Sequence, residues 1–396
     1  MNFHVASNEQ IKSGGTTDVY FSRTQKILEE ENISDRKVVA EVTAGSLPRD
    51  WEWAVACGID EVAQLFEGFP VNIWAVPEGT VFKPLDSEGR RVPLIIIEGS
   101  YGDFCTLETP MLGLTCQASG VATMAARVRK AAGDKLILAF GIRRMHPSLA
   151  PMLDRAAYIG GCDGVSSLAG AKEINKEPMG TMPHGLIIAM RDQVKAWEAF
   201  DEHVPDGVPR IALVDTYSDE KIEAVKAAEA LQEALDGVRL DTPSSRKGDF
   251  AELVREIRWE LDIRGYDHVN IVVSGGLDEH SIPELVEAGA ESFGVGTSIS
   301  NAPVLNLAMD IVEVEGEPAA KRGKLSGRKK VWRCPKCLTD QISLENKESP
   351  NCSNCGGETE SLLEPLIKNG DIVKDLPDSD QIREKVLKQL EKVSLE

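Results

Sequence analysis

From about Lys135 onward, short apolar runs alternate with longer amphipathic stretches. The runs fall at Leu136–Phe140, Gly164–Ser166, Ile211–Val214, Val238–Leu240, Val269–Val273 and Ser292–Val295. Between them, apolar positions recur at helical spacing over Ser218–Leu235, Asp249–Arg264 and Glu279–Ala288, with Ser218 and Asp219 as N-cap residues and Glu220 just inside. Short buried strands separated by amphipathic helices predict βα units around a parallel sheet. Six strands are legible. Eight would close a barrel, and Met179–Ala189 is the segment in which a further strand would hide.

The first 110 residues follow another rhythm. Val38–Thr43, Val71–Val76 and Pro93–Glu98 are β-like and are separated by turn signals such as Pro77-Glu78-Gly79 and Ser87-Glu88-Gly89. Trp51–Phe66 is a helical stretch, and Pro110–Ala132 is an Ala- and Met-rich amphipathic helix leading into the βα series. Lys321–Lys330 is a basic, Gly-containing linker, two cysteine pairs follow it, and Ser379–Glu396 is a charged helix. The expected division is an α+β lobe over 1–110, an α/β barrel carrying the site over 111–320, and a cysteine-rich knuckle with a C-terminal segment over 321–396.

Composition narrows the function classes. The 396 residues, 42% of them hydrophobic, suit a multidomain globular enzyme. A formal net charge of −20 argues against non-specific nucleic-acid or anionic-membrane partners. Met1–Gln10 has no secretory pattern, and no apolar run is long enough to span a bilayer. Of the eight cysteines, Cys57, Cys105, Cys116 and Cys162 are scattered, which reads as thiols in a reducing cytoplasm. Cys334, Cys337, Cys352 and Cys355 form C-x2-C-x14-C-x2-C, the spacing of a tetrahedral zinc site. Four protein ligands close the coordination sphere, so the expected Zn²⁺ is structural. Lys329, Lys330, Arg333 and Lys336 would let such a knuckle touch nucleic acid, but the acidic whole opposes that.

The candidate chemistry collects where strands end. Arg239 and Asp241 stand at i and i+2, on one face of a strand. A bidentate cation beside a carboxylate suits a phosphate or carboxylate next to a metal-bound sugar. Ser274-Gly275-Gly276 and Gly294–Ser298 end two successive strands, as in the phosphate sites of βα barrels. Arg143 and Arg144 end another run. Two adjacent guanidiniums repel unless an anion relieves them, which places at least one of the pair in the site. His184 lies in the shaped loop Gly180–Gly185, where a neutral imidazole can act as nucleophile or base. His146 is the weaker histidine candidate.

In number and order these motifs resemble those of nicotinate phosphoribosyltransferases, in particular the shorter archaeal and bacterial type with a C-terminal zinc knuckle. The resemblance spans nearly the whole chain. It rests on Thr17–Tyr20, Phe140–Arg144, Gly180–His184, Asp215–Tyr217, Val238–Asp241, Ser274–Gly276 and Gly294–Thr297. It implies the type II phosphoribosyltransferase fold, an irregular parallel α/β barrel plus an α+β lobe on which the C-terminal segment packs, working as a homodimer. The implied reaction joins nicotinate to 5-phosphoribosyl 1-pyrophosphate, giving nicotinate mononucleotide and pyrophosphate in NAD biosynthesis. ATP hydrolysis is coupled to it through phosphorylated His184, with Mg²⁺ accompanying the phosphates.

The implied roles follow residue by residue. Tyr20 and Phe140 sandwich the pyridine ring. Arg239 holds the carboxylate, with Thr181 orienting it. Asp215 and Asp241 face Mg²⁺ or the ribose hydroxyls. Ser274, Gly275, Gly276, Gly296 and Thr297 cradle the 5-phosphate, and Arg143 serves the pyrophosphate or a carboxylate. Two departures stand out. Pro183 and Gly185 flank His184 where the commoner pattern has Ala and Ser, and Thr242–Asp249 replaces a compact SGD, so ribose and metal contacts do not carry over cleanly to Asp249. The rivals are quinolinate and nicotinamide phosphoribosyltransferases, an aldolase- or isomerase-type barrel, and a non-catalytic sugar-phosphate-binding barrel whose zinc module mediates interactions.

Overall fold

The computed structural model describes residues 3–243, 245–246, 248–345, 347–373 and 375–395. It comprises two compact units. One gathers Met1–Thr123 and Pro303–Glu396, and the other is Met124–Ala302. Among the described residues no helix is long and apolar enough to cross a membrane.

The first unit is built on a seven-stranded antiparallel sheet. Its order is Glu317–Pro318, Leu307–Val314, Lys37–Ala44, Pro93–Ser100, Asn72–Ala75, Glu364–Lys368 and Asp371–Ile372. Lys37–Ala44 lies at its heart and is buried from Val38 onward, on both faces. That is why this strand reads as an apolar run, without alternation. The buried Glu41 is compensated by Lys329 Nζ at 2.7 Å. The chain divides near 123 and 302, where the patterning suggested 110 and 320. Leu307–Val314 pairs with Lys37–Ala44 along its whole length, a partnership no local pattern reveals. Trp51–Phe66 is helical only over Ile59–Phe66, because Ala54–Val55 pairs with Val81–Phe82 and Gly58 (φ 87°) opens the helix. The helix Ser379–Leu390 packs back on the turn after Pro77, where Gln389 Nε2 donates to Gly79 O at 2.8 Å.

Among the described residues the second unit holds six strands: β1 (Leu136–Ala139), β2 (Gly164–Val165), β3 (Ile211–Leu213), β4 (Gly237–Leu240), β5 (Asn270–Ser274) and β6 (Ser292–Val295). They form one parallel sheet in the order β2-β1-β6-β5-β4-β3. All six strands therefore end at the same edge, and the loops that follow them meet there. The hidden-strand expectation is not met. His184–Met190 is a helix, and Met179 meets the edge of β2 with its N–H donating to Val165 O at 2.8 Å. The amphipathic stretches become the helices Glu220–Leu231, Phe250–Asp262 and Ile282–Glu287. Asp219, and not Ser218, is the N-cap of the first, accepting from Lys221 and Ile222 N–H.

Candidate functional site

At the carboxyl ends of the six strands lies a cleft of about 640 Å³, lined among others by Phe140, Arg143, Arg144, Thr181, His184, Arg239, Asp241, Ser274, Gly275, Gly276, Gly296 and Thr297. Every lining residue belongs to the second unit. Parallel pairing is what gathers loops so distant along the chain.

Arg239 is the centre of the cleft. Its Nε donates to Ser274 Oγ at 3.0 Å and its Nη1 to Thr181 Oγ1 at 2.7 Å, while Nη2 lies 3.1 Å from Asp241 Oδ2. Three of the five guanidinium donors are thus engaged, leaving two for a ligand. The guanidinium carbon sits 5.4 Å from the centroid of the Phe140 ring. Ser274 Oγ in turn donates to Asp241 Oδ1 at 2.7 Å. The site therefore presents a planar cation beside an aromatic face, held rigid by two hydroxyls and a carboxylate.

A second cluster surrounds His184. Its Nδ1 is 3.1 Å from Thr216 Oγ1, and its Nε2 faces Asp215 Oδ1 at 3.6 Å and Asp241 Oδ2 at 3.9 Å. Asp215 Oδ2 accepts the Asp241 N–H at 3.2 Å, whereas its Oδ1 is buried without a hydrogen-bond partner. Burial pushes the Asp215 carboxyl up to about 6; His184 opposes the rise and Asp241 adds to it. An orphaned carboxylate oxygen next to a second carboxylate fits the oxygen-seeking Mg²⁺ or a sugar hydroxyl.

Both glycine turns line the cleft, Gly275 and Gly276 after β5 and Gly296 after β6. Gly275 and Gly276 have φ of 90° and 75°, a region open to glycine at little cost. Arg143 and Arg144 lie on the exposed turn Ile142–Arg144 and have no ion-pair partner among the described residues. His146 instead caps a turn, its Nδ1 2.7 Å from Ser148 Oγ. Asp249 accepts the Glu252 N–H at 3.0 Å and is a helix cap. In the loop before it, Ser244 and Lys247 lie outside the described residues. Tyr20 belongs to the first unit, on the helix Val19–Glu30, where it is 55% exposed beside Phe21.

In the first unit, Cys334, Cys337, Cys352 and Cys355 place their sulfurs within 4.8 Å of one another. Both knuckles have the same backbone. Leu338 N–H donates to Cys334 O at 2.9 Å and Gly356 N–H to Cys352 O at 2.8 Å, with positive φ at Leu338 and Gly356. Four soft donors so grouped are placed to hold one metal ion.

Comparison with known proteins bears on this arrangement. Residues 18–119 match the family described as quinolinate phosphoribosyl transferase, N-terminal domain, and residues 121–310 match its C-terminal domain. A crystal structure described as nicotinate-nucleotide pyrophosphorylase from Pyrococcus furiosus is 54% identical, with a TM-score of 0.95 over 99% of this chain and 98% of that chain. The chain belongs to the type II phosphoribosyltransferase family. Human nicotinic acid phosphoribosyltransferase, 21% identical with a TM-score of 0.74 over 96% of this chain and 94% of that one, shares the fold. A nicotinate phosphoribosyltransferase of Mycobacterium tuberculosis is 33% identical over 316 residues, 76% of this chain and 64% of that relative. The chain thus spans just under two thirds of the length of that curated relative.

Sequence patterning missed the support beneath the cleft. Glu223 is fully buried and binds the loop Thr216–Ser218. Asp154, also buried, accepts the Ser167 N–H and hydroxyl behind Ser166. The acidic residues in the first turn after Asp219 were the available signal for Glu223, and nothing local marked Asp154.

Proposed function

We propose that this chain is a nicotinate phosphoribosyltransferase, joining nicotinate to 5-phosphoribosyl 1-pyrophosphate with release of pyrophosphate. The single observation that carries the reading is Arg239, pinned by three partners with two donors left over, beside the Phe140 ring and on the strand next to the one that ends in Ser274–Gly276. One guanidinium fork suits one carboxylate on a flat ring. Relatives named nicotinate phosphoribosyltransferase, from Mycobacterium tuberculosis and Bacillus subtilis, support the same reading.

The pyridine nitrogen attacks the anomeric carbon as its bond to the pyrophosphate oxygen breaks, and the electron pair leaves with pyrophosphate. The sugar turns oxocarbenium-like and the leaving group gains charge, so positioning and electrostatics supply the catalysis. Phe140 stacks on the ring, with Tyr20 as the second face in an assembled homodimer, a state that the exposed Val19, Tyr20 and Ile27 support. Thr181 orients Arg239. Asp215 and Asp241 take the ribose hydroxyls or Mg²⁺, Ser274, Gly275, Gly276, Gly296 and Thr297 receive the 5-phosphate, and Arg143 the pyrophosphate. His184 Nε2 accepts the terminal phosphoryl group of ATP, coupling its hydrolysis to turnover. The cysteine cluster holds structural Zn²⁺.

The deciding experiment is turnover of nicotinate, nicotinamide and quinolinate with phosphoribosyl pyrophosphate, each with and without ATP. Nicotinate should be preferred and ATP should stimulate it. Quinolinate consumed with release of carbon dioxide overturns the assignment, and no turnover with any base leaves a binding-only barrel.

A further inference from the structure

We propose that Glu223 is a positioning residue that sets the orientation of His184 by way of Thr216. The inference deepens the ATP-coupled reading above and rests on it for its catalytic consequence.

Glu223 lies in the first turn of the helix Glu220–Leu231 and has no exposed surface. Its carboxylate closes on three consecutive residues of the loop after β3. Oε2 accepts the Thr216 N–H at 3.1 Å. Oε1 accepts the Tyr217 N–H at 2.8 Å, the Ser218 N–H at 2.7 Å and the Ser218 hydroxyl at 3.2 Å. A buried carboxylate is tolerated only when its oxygens are satisfied, and here four donors from one loop satisfy it. The loop and the carboxylate therefore fix each other.

The clamped loop holds the helix His184–Met190 at two points. Thr216 Oγ1 meets His184 Nδ1 at 3.1 Å, and the Tyr217 hydroxyl donates to Ile187 O at 3.4 Å. The chemistry requires a particular ring state. For Nε2 to attack the terminal phosphorus of ATP, its lone pair must be free, so the ring proton must sit on Nδ1. Thr216 Oγ1 is the acceptor that receives it. As the new N–P bond forms, the bond from phosphorus to the bridging oxygen breaks and ADP leaves with that electron pair. The imidazole gains positive charge, and the Nδ1–H bond to Thr216 strengthens. Phosphate is later released to water. An outer partner that fixes the tautomer of a reacting histidine acts as the orienting carboxylates of metal-bound histidines do.

Glu223→Gln tests this with minimal change of shape, because an amide turns an N–H donor toward backbone donors. The expected result is a drop of about 10–100-fold in the ratio of ATP-stimulated to unstimulated turnover, with the KM for nicotinate held within about threefold. The ring ¹⁵N signals of His184, assigned with His184→Ala, should move in parallel, and they are read without turnover. Thr216→Val should reproduce both changes and Thr216→Ser should restore them, which keeps the inference testable if Glu223→Gln does not fold. If the ¹⁵N signals stay put in Glu223→Gln and Thr216→Val, the inference is overturned. If ATP never stimulates the unmodified enzyme while those signals still move, the coupling reading fails and the positioning role stands.

Discussion

Arg239 Nη2 lies 3.1 Å from Asp241 Oδ2, and the two residues are separated by a single position along β4 and its end. The pleat sends both side chains into the cleft, so the carboxylate both orients the guanidinium and offsets its charge. What remains for the ligand is the planar fork. Arg239→Lys keeps the charge and loses the fork, since an ammonium binds as a point. The KM for nicotinate should rise about 10–100-fold, as expected for loss of one charge-assisted hydrogen bond worth about 1.5–3 kcal/mol. The KM for phosphoribosyl pyrophosphate should move much less. Steady-state kinetics in both substrates checks this, and an unchanged nicotinate KM removes Arg239 from carboxylate recognition.

His184→Ala removes the only imidazole among the described residues that line the cleft. ATP should no longer stimulate turnover and no acid-labile phosphoryl group should form, while slower ATP-independent turnover remains. Incubation with γ-labelled ATP followed by acid treatment reads the second outcome. Label retained by the variant would assign the phosphoryl acceptor elsewhere.

Much of this site was legible before the fold, and the reason is topological. Arg239, Asp241, Ser274 and Thr297 all sit where an apolar run stops, and parallel strands bring such endpoints to one edge. The chain divisions were not legible, because Leu307–Val314 finds its partner Lys37–Ala44 far back in the chain. Trp51–Phe66 misled for a related reason: the pairing of Ala54–Val55 with Val81–Phe82 overrides local helical spacing. Glu223 and Asp154 escaped because an acid in a helix is ordinarily a solvated residue. Only the loops folded onto them give them a purpose.

Asp215 makes the pH dependence specific. Burial raises its carboxyl to about 6 from an ordinary value of about 3.9. The folded state binds this proton more tightly than the unfolded chain does, so its contribution to stability is complete below about pH 4 and is lost as pH rises towards 6. Asp215→Asn removes a buried charge, and it should raise the melting temperature at pH 8 relative to the unmodified protein, with a smaller gain at pH 5. Activity runs the other way. In the proposed mechanism the ionised form takes Mg²⁺ or ribose, so kcat/KM should fall as pH drops through about 6. A melting-temperature difference that is equal at both pH values would contradict the raised value.

The cysteine cluster yields a prediction about stability apart from chemistry. Arg333 donates to both oxygens of Asp340 and through Nη1 to Val81 O, and Lys392 Nζ reaches Pro335 O at 2.6 Å, so the knuckle ties the C-terminal helix to the strands near Val81. Chelation, or Cys334→Ser, should lower the melting temperature by about 5 °C or more and expose the tail to protease. Elemental analysis should find zinc in the untreated protein and its loss on chelation. An unchanged melting curve after complete metal removal would leave the cluster without a structural role.

Gly294 on β6 offers the most local test of the aromatic wall. A Cβ there would come 2.5 Å from Phe140 Cδ2, the ring beside Arg239. Gly294→Ala must therefore push that ring towards the ligand space, or strain the strand. Overpacking of this kind costs about 1–3 kcal/mol, and the displaced ring should raise the KM for nicotinate several-fold. In a Phe140→Ala background the ring clash disappears and the next nearest atom is Ser274 Cβ at 3.1 Å, so the same substitution should cost clearly less stability there. Denaturant melts of the four proteins in this cycle measure the coupling. Equal costs in both backgrounds would show that the glycine is needed for something other than the ring.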